Sequence, residues 1–228
     1  MEKKIYELGI KVLGRLDRSG VLERFLLIGS WCMPVYEEYF KGKGVLPLIR
    51  TRDMEFLIPF PFHMKQKTDV VELLNDLGFV TDYKGDEGYT LLQHPDLILE
   101  FIVPARGDDS RIPRSIKQLG IKAQALRFMD FLAEQPIHTT FAGVSVTIPH
   151  PANFALQKLL IAGRRKLKVK AAKDRDQAVA LLRALEDAGE FGAARRAYRG
   201  MPKTWQKVVQ RELSALGERA LLELLNQN

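Results

Sequence analysis

Ile5, Leu8, Gly9, Val12, Leu13 and Leu16 recur at helical spacing, so the pattern predicts an amphipathic helix from about Lys3 to Asp17, closed by Ser19-Gly20. Val21 to Ile28 ends in the apolar run Phe25-Leu26-Leu27-Ile28 and reads as a short strand buried on both faces. Gly29 permits a tight turn after it, and Ser30 is placed to cap a helix from Trp31 to about Phe40. Lys41-Gly42-Lys43-Gly44 ends that helix and opens a basic loop. Thr51 to Ile58 then reads as a strand, which stops at Pro59-Phe60-Pro61.

Thr68-Asp69 starts a further helix with Val70, Val71, Leu73, Leu74 and Leu77 on its buried side and Gly78 as its stop. Phe79 to Lys84 and Tyr89 to Gln93 flank a turn and predict a hairpin, and Asp96 to Pro104 is a buried strand. Ile121 to Glu134 reads as mixed helix and strand. Ile137 to Phe141 and Val144 to Ile148 form a second hairpin through Ala142-Gly143. Pro149-His150-Pro151 marks a domain boundary, so domains of residues 1–149 and 150–228 are expected. Beyond it the pattern is helical: Ala152 to Ala162, about Lys170 to Ala188, Phe191 to Tyr198, Lys203 to Leu213 and Gly217 to Leu225. The layout is an α+β chain, a mixed half followed by an all-helical half.

At 228 residues and 46% hydrophobic, the chain can bury a substantial core. Cys32 is the only cysteine, which excludes an intrachain disulfide and a thiolate-rich zinc site. No apolar run is long enough to span a bilayer, and Met1-Glu2-Lys3-Lys4 leads into an amphipathic pattern instead of a secretory leader. A cytoplasmic protein without a membrane partner is expected. A formal charge of +7 and a pI near 9.5 suit an anionic partner, or simple solubility.

Candidate chemistry centres on three carboxylates. Asp53 and Glu55 stand at i and i+2 of a strand, so they share a face opposite Met54 and Phe56. That is either a grip for a hard cation or a solvated strand face. Glu100 sits among Ile98, Leu99, Phe101, Ile102 and Val103, where a carboxylate is paired, protonated, metal-bound or turned to solvent at the strand end. Gly29 and Ser30, taken by themselves, read as a tight turn and a helix cap. Lys158 lies among Phe154, Leu156, Leu159, Leu160 and Ile161, and the basic run Arg164, Arg165, Lys166, Lys168, Lys170, Lys173 and Arg175 follows. The run either attracts triphosphate or nucleic acid, or forms a solvated face. His63, His94, His138 and His150 lack metal-ligand spacing, and no phosphate loop ending in Gly-Lys-Ser/Thr and no hydrolase nucleophile elbow occurs. The aromatic residues do not interleave with the basic run, so a base-stacking surface is not indicated.

The order of these features is more specific than any one of them. An apolar strand, Gly29-Ser30, a helix, a strand bearing Asp53-Met54-Glu55 and a later strand with Glu100 between apolar residues resemble the nucleotidyltransferase superfamily that includes DNA polymerase beta. Pro149-His150-Pro151-Ala152-Asn153-Phe154-Ala155-Leu156-Gln157-Lys158-Leu159-Leu160, followed by Lys173-Asp174-Arg175-Asp176-Gln177-Ala178, is similar to the bacterial stand-alone branch that includes abortive-infection toxin-type enzymes. The resemblance covers about Phe25 to Leu185 and departs from the family pattern in places. The interval from Ser30 to Asp53 is long, making Lys41–Pro47 an insertion, Glu55 stands where Asp is more frequent, and Trp31 could narrow a nucleotide site.

The resemblance implies a mixed sheet flanked by helices and an NMP transfer from an NTP to an acceptor hydroxyl with release of pyrophosphate. It implies Asp53, Glu55 and Glu100 as catalytic ligands of Mg²⁺ or Mn²⁺, and Gly29, Ser30, Lys158, Lys173 and Asp174 as nucleotide-binding residues. The partners would be an NTP and an acceptor that is RNA, protein or a small molecule. A catalytically inactive module that binds nucleic acid or a protein partner is the alternative.

Overall fold

A computed structural model describes residues 3–41, 51–86, 88–105, 107 and 112–227. The Lys41–Pro47 insertion, apart from Lys41, lies outside them. Chain contacts divide the molecule into two units, Met1–Val35 with Leu48–Pro149 and Tyr36–Pro47 with His150–Asn228.

The first unit begins with helix α1 (Lys3–Arg18), then strand β1 (Leu26–Ile28) and the start of helix α2 (Cys32–Tyr39), within which the unit boundary falls. Strand β2 (Asp53–Leu57), helix α3 (Val70–Leu74) and strands β3 (Val80–Lys84), β4 (Tyr89–Gln93) and β5 (Ile98–Pro104) follow. Strands β6 (Arg114–Ile116) and β7 (Ile121–Leu126), helix α4 (Met129–Leu132) and the hairpin β8 (Ile137–Phe141) and β9 (Val144–Ile148) complete it. The main sheet runs β1-β2-β5-β4-β3, with β7 also on β5 and β6 on β7; β8 and β9 form a separate pair. β1 is antiparallel to β2, whereas β2 and β7 are parallel to β5, so the sheet is mixed.

Strand alternation gives this sheet two unlike faces. One carries Met54, Phe56, Leu99, Phe101, Val103, Ala123 and Ala125, all buried. Phe25 packs there against Phe56 and Phe101, with ring centroids at 5.7 and 6.3 Å. Such aromatic pairs add about 0.5–1.5 kcal/mol each to the burial itself. The other face carries Asp53, Glu55, Ile98, Glu100, Tyr89 and Gln124, all half-buried, together with Leu57, Leu91 and Ile102, which are buried.

Four predicted elements differ in detail. The strand expected from Val21 is confined to Leu26–Ile28, because Leu22–Arg24 makes a 3₁₀ turn with Glu23 and Arg24 exposed. Ser30 does not cap a helix from outside; it lies inside a second 3₁₀ turn, Gly29–Trp31, whose carbonyls of Gly29 and Ser30 accept from the Cys32 N–H. Trp31 does not narrow a surface site: its side chain is fully buried, and its indole ring lies against Gly9 of α1. The mixed segment resolves into strand β7 and the short helix α4, joined through Phe128 in the left-handed region.

The second unit packs α5 (Pro151–Ala162), α6 (Lys168–Asp187), α7 (Phe191–Gly200), α8 (Lys203–Ala215) and α9 (Arg219–Asn226). α5 is buried from Pro151 to Leu160, polar residues included, because it packs against α6, α7 and α8. Among the described residues, no helix is long and apolar enough to cross a membrane.

Candidate active site

The parallel register of β2 and β5 places Glu55 opposite Glu100, with Asp53 opposite Ile98. Side chains level with each other on adjacent strands share a face, and i and i+2 share it along one strand. The three carboxylates therefore stand on the half-buried face, away from the aromatic core. β1 adds the turn: Ile28 is opposite Glu55, so the strand delivers Gly29 directly beside that side chain. Gly29 has φ +69°, and a Cβ built on it would lie 1.7 Å from Oε2 of Glu55. The left-handed conformation favours glycine here, and a larger residue would have to displace the Glu55 carboxylate. Ser30, half-buried, follows it in the 3₁₀ turn.

Hard carboxylate oxygens on neighbouring positions of one sheet face are the donor set that a divalent cation such as Mg²⁺ takes. Backbone placement and donor chemistry thus fit the expected ion. The side chains as arranged do not yet close on it: among the described residues, no group of three or more His, Cys, Asp or Glu side chains is poised to hold a metal. The Glu55 carboxylate lies against Gly29.

Tyr89 joins this face from β4. Burial, and behind it the negative charge of Glu100, pushes its phenol above the ordinary value. Tyr89 and Gln124 were not foreseen from the sequence. The outward alternation of Lys122, Gln124 and Leu126 along β7 was the available signal.

The expected residues of the helical half lie in the second unit. Lys158 on α5 donates from Nζ to Oδ1 of Asp174 on α6 at 2.8 Å, and Nε of Arg165 donates to Oδ2 at 2.7 Å. Lys158 and Asp174 are 6% and 3% exposed, so this is a buried ion pair and not a snorkelling lysine. Lys158 Nζ also stands 5.1 Å from the Phe154 ring centroid. Lys173 is half-exposed. Of the basic run, Arg165 and Arg175 are engaged, the latter with Glu212 at 2.7 Å, while Lys166, Lys168 and Lys170 are exposed.

The structure thus groups Gly29, Asp53, Glu55 and Glu100 in one unit, and Lys158 with Asp174 in the other. A strand–turn–helix beside paired strands with facing carboxylates is the arrangement that the sequence resemblance implies. The sequence profile of the nucleotidyltransferase family matches residues 8–199, and the chain belongs to that family. It is a transferase that moves a nucleotidyl group. No curated protein sequence matches. Among solved structures, the chain is similar to the antibiotic-resistance factor ANT(2'')-Ia in its solution structure, at 17% identity over 87% of this chain and 95% of that one, with a TM-score of 0.47. The crystal structure of ANT(2'')-Ia in complex with adenylyl-2''-tobramycin gives 15% identity over 85% and 99%, TM-score 0.46. An antigenic nucleotidyltransferase-like protein from Paracoccidioides brasiliensis gives 13% identity over 90% and 92%, TM-score 0.44.

Proposed function

We propose that this chain is an Mg²⁺- or Mn²⁺-dependent nucleotidyltransferase that moves an NMP from an NTP to an acceptor hydroxyl and releases pyrophosphate. The observation that supports this reading is the register of β2 and β5, which faces Glu55 to Glu100 with Asp53 on the same side. Asp53, Glu55 and Glu100 would hold the divalent cation, whose charge offsets that of the triphosphate and of the reacting oxygens. Glu100 takes the proton of the acceptor hydroxyl, directly or through water. The acceptor oxygen bonds to the α-phosphorus as that phosphorus parts from the bridging oxygen, and pyrophosphate leaves with the electron pair of the broken bond. Gly29 lets the backbone approach phosphate closely, and the Ser30 hydroxyl donates to a phosphate oxygen.

Residues 1–149 are the proposed catalytic domain and 150–228 the helical one. Lys158, Lys173 and Asp174 are proposed nucleotide-binding residues on the family resemblance, with Lys158 and Asp174 engaged with each other inside their own unit. The test is transfer of label from each α-labelled NTP, with Mg²⁺ or Mn²⁺, comparing wild type with Asp53→Asn. Metal-dependent pyrophosphate release that disappears in the variant supports the enzyme. Equal release from both proteins sinks it.

A second reading, an inactive module that binds nucleic acid, is favoured by Lys166, Lys168 and Lys170, exposed together with Leu167 at 61% and Val169 at 82%. Salt-dependent binding of a labelled RNA that survives Asp53→Asn, without any turnover, would favour it.

A further inference from the structure

The main sheet forks beside Glu100. β4 stays on the edge of β5 as far as Leu91, which faces Glu100. From Ile102 onward the same edge is taken by β7, with Gln124 beside Ile102. Phe101 is the residue between the two pairings. On the core side the fork is closed. The Lys122 N–H donates to Oγ1 of Thr90 at 2.9 Å, and Thr90 and Ala123 are 2% and 0% exposed.

The opposite side of the fork is differently furnished: Leu91 and Ile102 form its buried floor, and half-buried polar side chains stand beside them. Tyr89 precedes Leu91 by two positions, and Gln124 is level with Ile102, so both present on the face of Glu100. Both are half-buried, which leaves each side chain a stable seat and a free surface. Neither residue is needed by the core, whose side of the fork is already sealed.

We propose that Tyr89 and Gln124 are the acceptor-positioning residues of this transferase, and that they select a hydroxyl-rich ring, a carbohydrate or cyclitol. This rests on the reading of Asp53, Glu55 and Glu100 given above. An aromatic ring covers the C–H face of such a ligand, and the phenol adds a donor and an acceptor. A primary amide offers one carbonyl and two N–H groups, which match a pair of adjacent hydroxyls. One hydroxyl of the ring is then presented at Glu100. Its oxygen bonds to the α-phosphorus, its proton passes to the carboxylate or to water, and pyrophosphate is released.

The test uses the full chain with Mg²⁺, an equal mixture of the four α-labelled NTPs and excess D-glucose as the probe. The ratio of glucose-linked NMP to free NMP is read for wild type, Tyr89→Phe and Gln124→Ala. Saturation-transfer NMR of glucose reads binding without turnover, and thermal unfolding shows that each variant is folded. The expected result is a fall of about tenfold in the ratio for each variant, the size of one hydrogen bond. A higher KM for glucose and a weaker saturation-transfer signal should accompany it, with the KM for NTP unmoved. Unchanged ratios in folded variants overturn the assignment. Hydrolysis of NTP by wild type, sensitive to Asp53→Asn, with no glucose product, overturns the hydroxyl-rich acceptor and leaves the transferase reading standing. No metal-dependent turnover by wild type, with or without glucose, overturns both.

Discussion

Gly29 lies directly beside the Glu55 carboxylate, so that any side chain at position 29 would displace it: a Cβ there would come within 1.7 Å of Oε2 and 2.9 Å of Cδ of Glu55. The contact links the turn after β1 to a proposed metal ligand on β2, so the turn sets where that carboxylate points. Gly29→Ala is expected to move the Glu55 side chain and lower metal-dependent turnover by roughly 100-fold, the scale of an ångström-sized misplacement. Its backbone, at φ +69°, adds a stability cost of roughly 1–2 kcal/mol. Gly20→Ala is the control. It has φ +73° and nothing within 4 Å of its Cβ, so it carries the same backbone cost and keeps its activity. Chemical denaturation and steady-state kinetics on both variants separate the two effects.

Lys158, Arg165 and Asp174 predict an asymmetric response. Asp174→Ala leaves the buried Lys158 ammonium without its carboxylate, and is expected to cost about 3–5 kcal/mol. Lys158→Met leaves Asp174 held by Arg165, 2.7 Å away, and fills the space with an apolar chain of similar length. Its cost is expected to be roughly 1.5–3 kcal/mol, that of a charge-assisted hydrogen bond. Urea unfolding of both variants checks the order; equal losses would contradict it.

These two sites also show what the sequence could and could not tell. Asp53 and Glu55 were legible as a same-face pair because strand periodicity needs only i and i+2. That Glu55 would also face Glu100 required a register between β2 and β5, which sequence spacing does not fix. The fork was hidden because β6 is three residues long and Ile121-Lys122-Ala123-Gln124-Ala125-Leu126 contains alanines that suit helix and strand patterns alike. Lys158 stayed open between a triphosphate contact and a snorkelling side chain, since the partner that decides, Asp174, stands on another helix. Trp31 read as a site residue from its place after Gly29-Ser30; only packing shows that its indole turns to α1.

His150 predicts a pH dependence. Its Nδ1 accepts from the Ala152 N–H at 3.2 Å, capping α5 ahead of Pro151. That bond needs a neutral ring. Burial lowers the folded pKa below the ordinary 6.5, with Glu190 raising it and Arg196 lowering it further as smaller influences. A depressed folded pKa means that the unfolded chain binds the proton first as pH falls. The contribution is fully present above about pH 6.5 and is lost progressively below it, until the folded pKa is passed. The unfolding midpoint should therefore fall with pH below this value, and His150→Asn, a cap that does not titrate, should flatten the fall. His150→Ala removes the cap at every pH, at a cost of about 1 kcal/mol.

Two glycines of α1 are expected to respond to alanine with opposite signs. In a helix interior, alanine is favoured over glycine by about 1 kcal/mol. At Gly14 nothing opposes that gain, because a Cβ would meet Arg18 at 3.5 Å and Val144 at 3.9 Å, ordinary contact distances. Gly14→Ala should stabilise the chain by up to about 1 kcal/mol. At Gly9 the same Cβ would come within 2.0 Å of the Trp31 Cη2 atom and 2.7 Å of Cζ3. The indole is fully buried and its ring is rigid, so it must shift as a body or push α1 away. Overpacking of this kind costs roughly 1–3 kcal/mol, at or beyond the upper end here, which outweighs the helix gain. Urea unfolding should show Gly9→Ala less stable than wild type and Gly14→Ala more stable. Intrinsic fluorescence should change for the Gly9 variant alone, since only there does the Trp31 environment move. A stabilised Gly9→Ala with unaltered fluorescence would mean that Trp31 does not occupy the groove over Gly9.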